Sequence, residues 1–210
     1  LFETIRQGDV LLHHPYESFA PVIEFVQQAA ADPNVLAIRQ TLYRTGAKSA
    51  LVDALVQAAR AGKEVTVVIE LRARFDEEAN ISLATALQEA GAHVLYGVVG
   101  YKTHAKTMLI VRRESGGLRR YVHLSSGNYH TITSRIYTDF GLMTADAEMG
   151  EDASAFFNAL TGYSDPPRMR KLVMAPSRLR EKFLDLIHRE RRRAEAGQAA
   201  EIRAKVNALV

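Results

Sequence analysis

The stretch that most limits the fold of this chain runs from Val35 to Gly97, where apolar strand-like runs alternate with helical ones. "VTVVIEL", Val65 to Leu71, is a continuous β-branched run. Runs of that kind belong to strands covered on both faces. It lies between "SALVDALVQAARAGK", whose Leu51, Val52, Leu55, Val56 and Ala59 recur at helical spacing before Gly62, and "EEANISLATALQEAG", helical up to Gly91. "VLAIRQTLY" (Val35 to Tyr43) precedes and "HVLYG" follows as further strands. The order β-α-β-α-β predicts an α/β fold with a mostly parallel sheet and right-handed crossovers.

The rhythm then changes. "HAKTMLIVRR" and "RRYVHLSSGN" read as two strands joined by "ESGG", a hairpin signal. "TDFGLMTA" predicts another strand and "GEDASAFFNALTG" a helix. A helix over Phe19 to Ala31, with Pro21 in its first turn, precedes the first strand. The expected sheet is therefore mixed, mostly parallel with an antiparallel hairpin, and flanked by helices. After "DPPRMRK", "LVMAPS" predicts a strand, "SRLREKFLDLIHRERRRAEAG" a basic helix and "AAEIRAKVNALV" a further helix. The boundary is expected near Arg170.

Composition excludes several classes. The 210 residues hold no cysteine, so there is no disulfide framework and no thiolate nucleophile. No run of about 18 apolar residues exists to form a membrane-spanning helix. Leu1 in place of Met, and an amphipathic pattern cut at Val210, suggest a piece of a longer protein. The net charge of +3 is a weak hint of a polyanionic partner. Only the placement of the positive groups carries meaning.

That placement points to phosphorus chemistry. On a strand, His104 and Lys106 share a face. An unprotonated imidazole can attack phosphorus while an ammonium neutralises the phosphoryl oxygens. A core histidine beside a snorkelling lysine is the alternative. Topology gathers more groups. Arg44 follows the strand ending at Tyr43, and Arg72 and Arg74 follow the strand ending at Leu71. A strand antiparallel to these begins at the same edge with His104 and Lys106, and its hairpin partner ends there at Ser125 to Asn128. Arginine forks bind phosphate oxygens in pairs. In "FDEE", Asp76 reads as a helix cap in preference to a Mg²⁺ ligand.

"HAK" followed by "SSGN" resembles half of a phospholipase D-type site, but the usual H-x-K-x-x-x-x-D pattern meets Val111 in place of aspartate. The segments "DVLLHHPYESF", "VLAIRQTLYRT", "VTVVIELRARFDEEANI", "YKTHAKTMLIVRR", "SSGNYH", "RIYTDFGLMTAD" and "LVMAPS" together resemble the type 1 polyphosphate kinase family. The resemblance implies a phospholipase D-like first catalytic domain over 1–170 and the start of a second over 171–210. It implies a bacterial, cytoplasmic transferase, peripheral at the inner membrane at most, that moves the terminal phosphate of ATP reversibly onto polyphosphate with Mg²⁺. On this resemblance His104 is the phosphorylated residue, with Lys106 and Asn128 in the catalytic site. Arg44 and Arg74 bind phosphate and its Mg²⁺, and Tyr137 contacts ATP. The implied partners are ATP, ADP and polyphosphate, without nucleic acid, in a homodimer or homotetramer. Two alternatives remain open: a phospholipase D-like phosphodiesterase, and a non-catalytic polyanion-binding module using Lys102, Lys106, Arg112, Arg113, Arg119 and Arg120.

Overall fold

The computed structural model describes residues 1–43, 49–70, 77–98, 100–162 and 168–204. The chain forms two compact units, Leu1–Met169 and Arg170–Val210.

The first unit is built on a seven-stranded sheet. In chain order it holds α1 (Phe2–Gln7), β1 (Val10–His14), α2 (Ala20–Ala31), β2 (Val35–Leu42), α3 (Ala50–Arg60), β3 (Glu64–Ile69), α4 (Glu77–Glu89), β4 (His93–Leu95), β5 (Lys106–Glu114), β6 (Gly117–Ser125), a short 3₁₀ turn (Thr133–Arg135), β7 (Asp139–Thr144) and α5 (Ala147–Gly162). The strand order is β1-β7-β6-β5-β2-β3-β4. β2, β3 and β4 pair in parallel, as the alternating segments predict. The other four pairings are antiparallel. Following the pairings along the sheet, β1, β2, β3, β4 and β6 point one way, and only β5 and β7 oppose them. The β5–β6 hairpin closes with Glu114 opposite Gly117, and Gly117 takes φ 112°, a conformation that glycine adopts without strain.

Side-chain alternation explains the two layers. Ile38, Leu42, Met108, Ile110 and Tyr121 face one side of the sheet. They join Phe25 and Val26 of α2 and Leu51 and Leu55 of α3 in one buried core. Residues of the opposite parity, such as Arg39 and Arg120, face α5. Arg39 donates to Asn158 at 2.7 Å. The absence of a side chain at Gly150 lets α5 approach β6, since a Cβ there would lie 2.7 Å from that of Arg120. With both faces covered, β2 and β3 are buried through nearly their whole lengths, which is why they read as apolar runs.

α1 and β1 do not stand out in the sequence. β1 is only five residues long and ends in two histidines. It exists because it pairs with β7, which lies far away in the chain. In the second unit α6 (Leu179–Glu195) forms where the basic helical pattern predicts it. Two expectations fail there. Residues 172–177 form no strand, and a turn spans residues 175–178. Pro176 has no N–H to give a ladder. Residues 199–204 are not helical, and the remainder of that expected helix lies outside the described residues.

Candidate functional site at one sheet edge

The carboxyl ends of β1, β2, β3, β4 and β6 and the amino ends of β5 and β7 all meet at one edge. This edge is where polar groups gather in open α/β sheets. His104, Lys106 and Asn128 belong to strand ends or loops there, as strand direction predicts, and Tyr137 lies in the loop before β7 at the same edge. Arg44 and Arg74, together with Arg72 and Asp76, lie outside the described residues.

One expectation needs correcting. His104 is not on a strand. β5 begins at Lys106, so His104 sits in the loop just before it. Lys106 is buried and His104 is exposed. Lys106 Nζ turns back and donates to the carbonyl of His104 at 2.5 Å. The adjoining peptide groups are held as well. Thr103 N–H donates to the Glu70 carboxyl group at 2.9 Å. Thr41 Oγ1 donates to Ala105 O at 2.7 Å and accepts from Thr107 N at 3.0 Å. The loop is thus fastened to the ends of β2, β3 and β5.

The imidazole of His104 meets the ring of Tyr43 edge to face, with centroids 5.3 Å apart. Over the same tyrosine ring lie Lys102 Nζ at 5.1 Å and Lys106 Nζ at 5.2 Å. Burial holds the His104 pKa below its ordinary value, and the positive charges of Lys106 and Lys102 push it the same way. At neutral pH the ring therefore keeps a free lone pair, and the positive charges of two ammonium groups lie beside it.

The facing side of the edge is the loop after β6. Ser126 Oγ donates to Asp139 at 2.8 Å and accepts from Phe140 N at 2.9 Å. Gly127 lies directly against Asp139. A Cβ at Gly127 would sit 2.3 Å from Asp139 Oδ2. Next comes Asn128, whose Oδ1 is buried and has no hydrogen-bond partner among the described residues. The following Tyr129 is buried and its hydroxyl bonds His123 Nδ1 at 2.9 Å. His123 is fully buried on β6, and burial together with the charge of nearby His14 pushes its pKa down to about 3. Tyr137 is 61% exposed, two residues before β7.

The arginines invoked for a polyanion-binding module are not part of this edge. Arg112 and Arg119 lie at the far end of the β5–β6 hairpin. There Arg112 pairs with Asp32 at 2.8 Å and Glu114 at 3.2 Å, and Arg119 pairs with Glu114 at 2.9 Å. Arg113 and Arg120 are opposite or next to these same positions. The six cations therefore divide between two ends of the sheet.

Glu70, Thr41, Tyr43 and His123 shape the site without having been singled out in the sequence. Position offers the signal: each lies within two residues of a strand's end at this edge. Among the described residues no group of three His, Asp or Glu side chains is arranged to hold a metal ion. A lysine-rich edge suits a divalent cation only when phosphate oxygens carry it there.

Comparison with known proteins gives first the class and then the family. The structure resembles Nuc, a phospholipase D family member from Salmonella typhimurium, with a TM-score of 0.57 and 17% identity, covering 77% of this chain and 98% of that one. That likeness establishes a phospholipase D-like fold. The family model for the polyphosphate kinase C-terminal domain 1 matches residues 1–166, and the chain belongs to the polyphosphate kinase family. It is 61% identical over 209 residues to a polyphosphate kinase of Pseudomonas aeruginosa, covering 100% of this chain and 30% of that protein. It is 55% identical over 210 residues to one from Neisseria meningitidis serogroup A, covering 100% of this chain and 31% of that protein. The structure of polyphosphate kinase from Porphyromonas gingivalis superposes with a TM-score of 0.83 at 38% identity, covering 93% of this chain and 33% of that one. The chain thus spans about a third of the length of the relatives it matches.

Proposed function

We propose that this chain is the part of a polyphosphate kinase that carries the nucleophilic histidine. The observation that carries the reading is His104: an imidazole held below its ordinary pKa, at a sheet edge, beside the ammonium groups of Lys102 and Lys106. The reaction moves the terminal phosphate of ATP reversibly onto inorganic polyphosphate.

In the first half, the neutral His104 nitrogen attacks the terminal phosphorus of ATP. The N–P bond forms, the P–O bond to ADP breaks, and ADP leaves with the electron pair. In the second half, a terminal oxygen of polyphosphate attacks the same phosphorus. The N–P bond breaks and the pair returns to the imidazole. Lys102 and Lys106 neutralise non-bridging oxygens, and Asn128 contributes its side-chain amide on the opposite side of the edge. Arg44 and Arg74 act as phosphate clamps. Tyr137 contacts the nucleotide, and its exposure leaves the ring accessible. Mg²⁺, when bound with ATP, supplies charge neutralisation on the phosphates. Residues 1–170 form the first catalytic domain and 171–210 the start of a second, and the rest of the enzyme supplies the opposing half-site. The full-length enzyme is a homo-oligomer of the bacterial cytoplasm, peripheral at the inner membrane at most. No helix among the described residues is long and apolar enough to cross a membrane.

The test is labelled ATP with the full-length enzyme. Acid-labile, base-stable label that disappears in His104→Ala supports the reading. Polyphosphate synthesis at a near-normal rate by His104→Ala refutes it. A phosphodiesterase would instead cleave a diester substrate, and a binding module would take up polyphosphate in a salt-sensitive way without label.

A further inference from the structure

We propose that Glu70 is a positioning residue for the nucleophile: its buried carboxyl group holds the Thr103 N–H and thereby fixes the peptide from which His104 projects. This rests on the reading of His104 as the phosphorylated residue.

Glu70 is 6% exposed and immediately follows β3. Its own backbone is secured on both sides. Its N–H donates to Leu42 O at 3.1 Å, and its carbonyl accepts from Asn80 Nδ2 at 3.0 Å. With the backbone fixed, side-chain length sets how far Oε2 reaches. Oε2 lies 2.9 Å from the N–H of Thr103, itself 8% exposed. Thr103 is the residue before His104, so this bond sets the peptide plane that leads into the nucleophile.

The bond is part of a pattern. The Thr103 N–H, the His104 carbonyl and the Ala105 carbonyl are held by Glu70, Lys106 and Thr41, on or just beyond β3, β5 and β2 respectively. A loop with no ladder partners is thereby given three anchors. Without the Glu70 acceptor, a buried N–H would be left to find another partner, and the loop would shift to provide one. A carboxyl group also does not belong beside an anion site on electrostatic grounds, and burying it is costly. The bond from the Thr103 N–H offsets part of that cost. Displacement of a reacting atom by about 1 Å can cost on the order of a hundredfold in rate.

Two substitutions separate reach from charge. Glu70→Gln keeps the chain length and an oxygen acceptor but removes the acid. Glu70→Asp keeps the acid but withdraws it by one methylene, about 1.5 Å. In the full-length enzyme we expect Glu70→Gln to retain kcat within about threefold. We expect Glu70→Asp to lose about tenfold to a hundredfold in kcat, with KM for ATP within about twofold. Hydrogen exchange in the peptide spanning 101–105 should quicken in Glu70→Asp and stay unchanged in Glu70→Gln. The opposite order, Gln impaired and Asp active, overturns the proposal, because it makes the acid rather than the reach essential. Unchanged exchange in Glu70→Asp also overturns it, whatever the activity. His104→Ala runs beside them as a control. If it stays active, the functional reading fails. If it is dead and the Gln/Asp order is reversed, only the positioning role fails.

Discussion

Acid should destabilise this fold through a buried histidine on β6. His123 is 0% exposed, with Nδ1 bonded to Tyr129 and Nε2 without a partner among the described residues. A proton on this ring would put an unsolvated charge in the core, next to His14, and its pKa falls from 6.5 to about 3. The ring is neutral in the folded state at any ordinary pH, whereas in the unfolded chain it binds a proton below 6.5. Its contribution to stability is therefore fully present above that value. It is lost as pH falls from 6.5 towards 3, and changes no further below. One pKa unit is worth about 1.4 kcal/mol, so between pH 7 and pH 4 the loss is about 3 kcal/mol. Urea titrations of the chain at stepped pH, followed by near-ultraviolet tyrosine dichroism, measure it against His123→Gln, which cannot titrate. The stability advantage of the parent over the variant should shrink by about 3 kcal/mol across that interval. An advantage that stays constant from pH 7 to pH 4 would refute the assignment of a buried, neutral histidine.

Lys102→Gln removes one of the two charges that lower the His104 pKa, so the ring should titrate at a higher pH, as read from its proton resonances; an unchanged titration would show that the Lys102 charge does not reach the ring. Gly127→Ala places a methyl where Asp139 now lies and should cost about 1 to 3 kcal/mol in denaturant unfolding while lowering turnover of the full-length enzyme. Thr41→Val keeps the volume but strands the Ala105 carbonyl and the Thr107 N–H, a loss of about 1 to 3 kcal/mol by the same measurement. Wild-type stability in either variant would mean that the loops relax freely.

The parallel part of the sheet was legible because local signals and tertiary role agree there. The β-branched run of β3 is buried on both faces, and the helices beside it carry their apolar residues at helical spacing. The edge that gathers the candidate site residues was equally legible, since it follows from strand direction alone. The exact start of β5 was not. His104 continues the apolar-looking run by composition, but Thr41 Oγ1 takes the place of a ladder partner at Ala105 and Thr107, so pairing begins at Lys106. Glu70 could not be read as an anchor, because its partner is a backbone N–H more than thirty residues away. "LVMAPS" looks like a strand by propensity, but propensity alone supplies no neighbour to pair with.

The pairing of β1 with β7 has a consequence for how the chain is made. His14 meets Asp139 and Val10 meets Met143, so the first strand of this sheet to leave the ribosome is matched by the last. At translation rates of about 5 to 20 residues per second, β1 waits on the order of ten seconds for its partner. The β2–α3–β3–α4–β4 segment needs only near neighbours and can assemble in the meantime, while closure through β7 is the non-local step that slows folding. Until then the backbone donors and acceptors of "VLLHH" are open to pairing with other nascent chains.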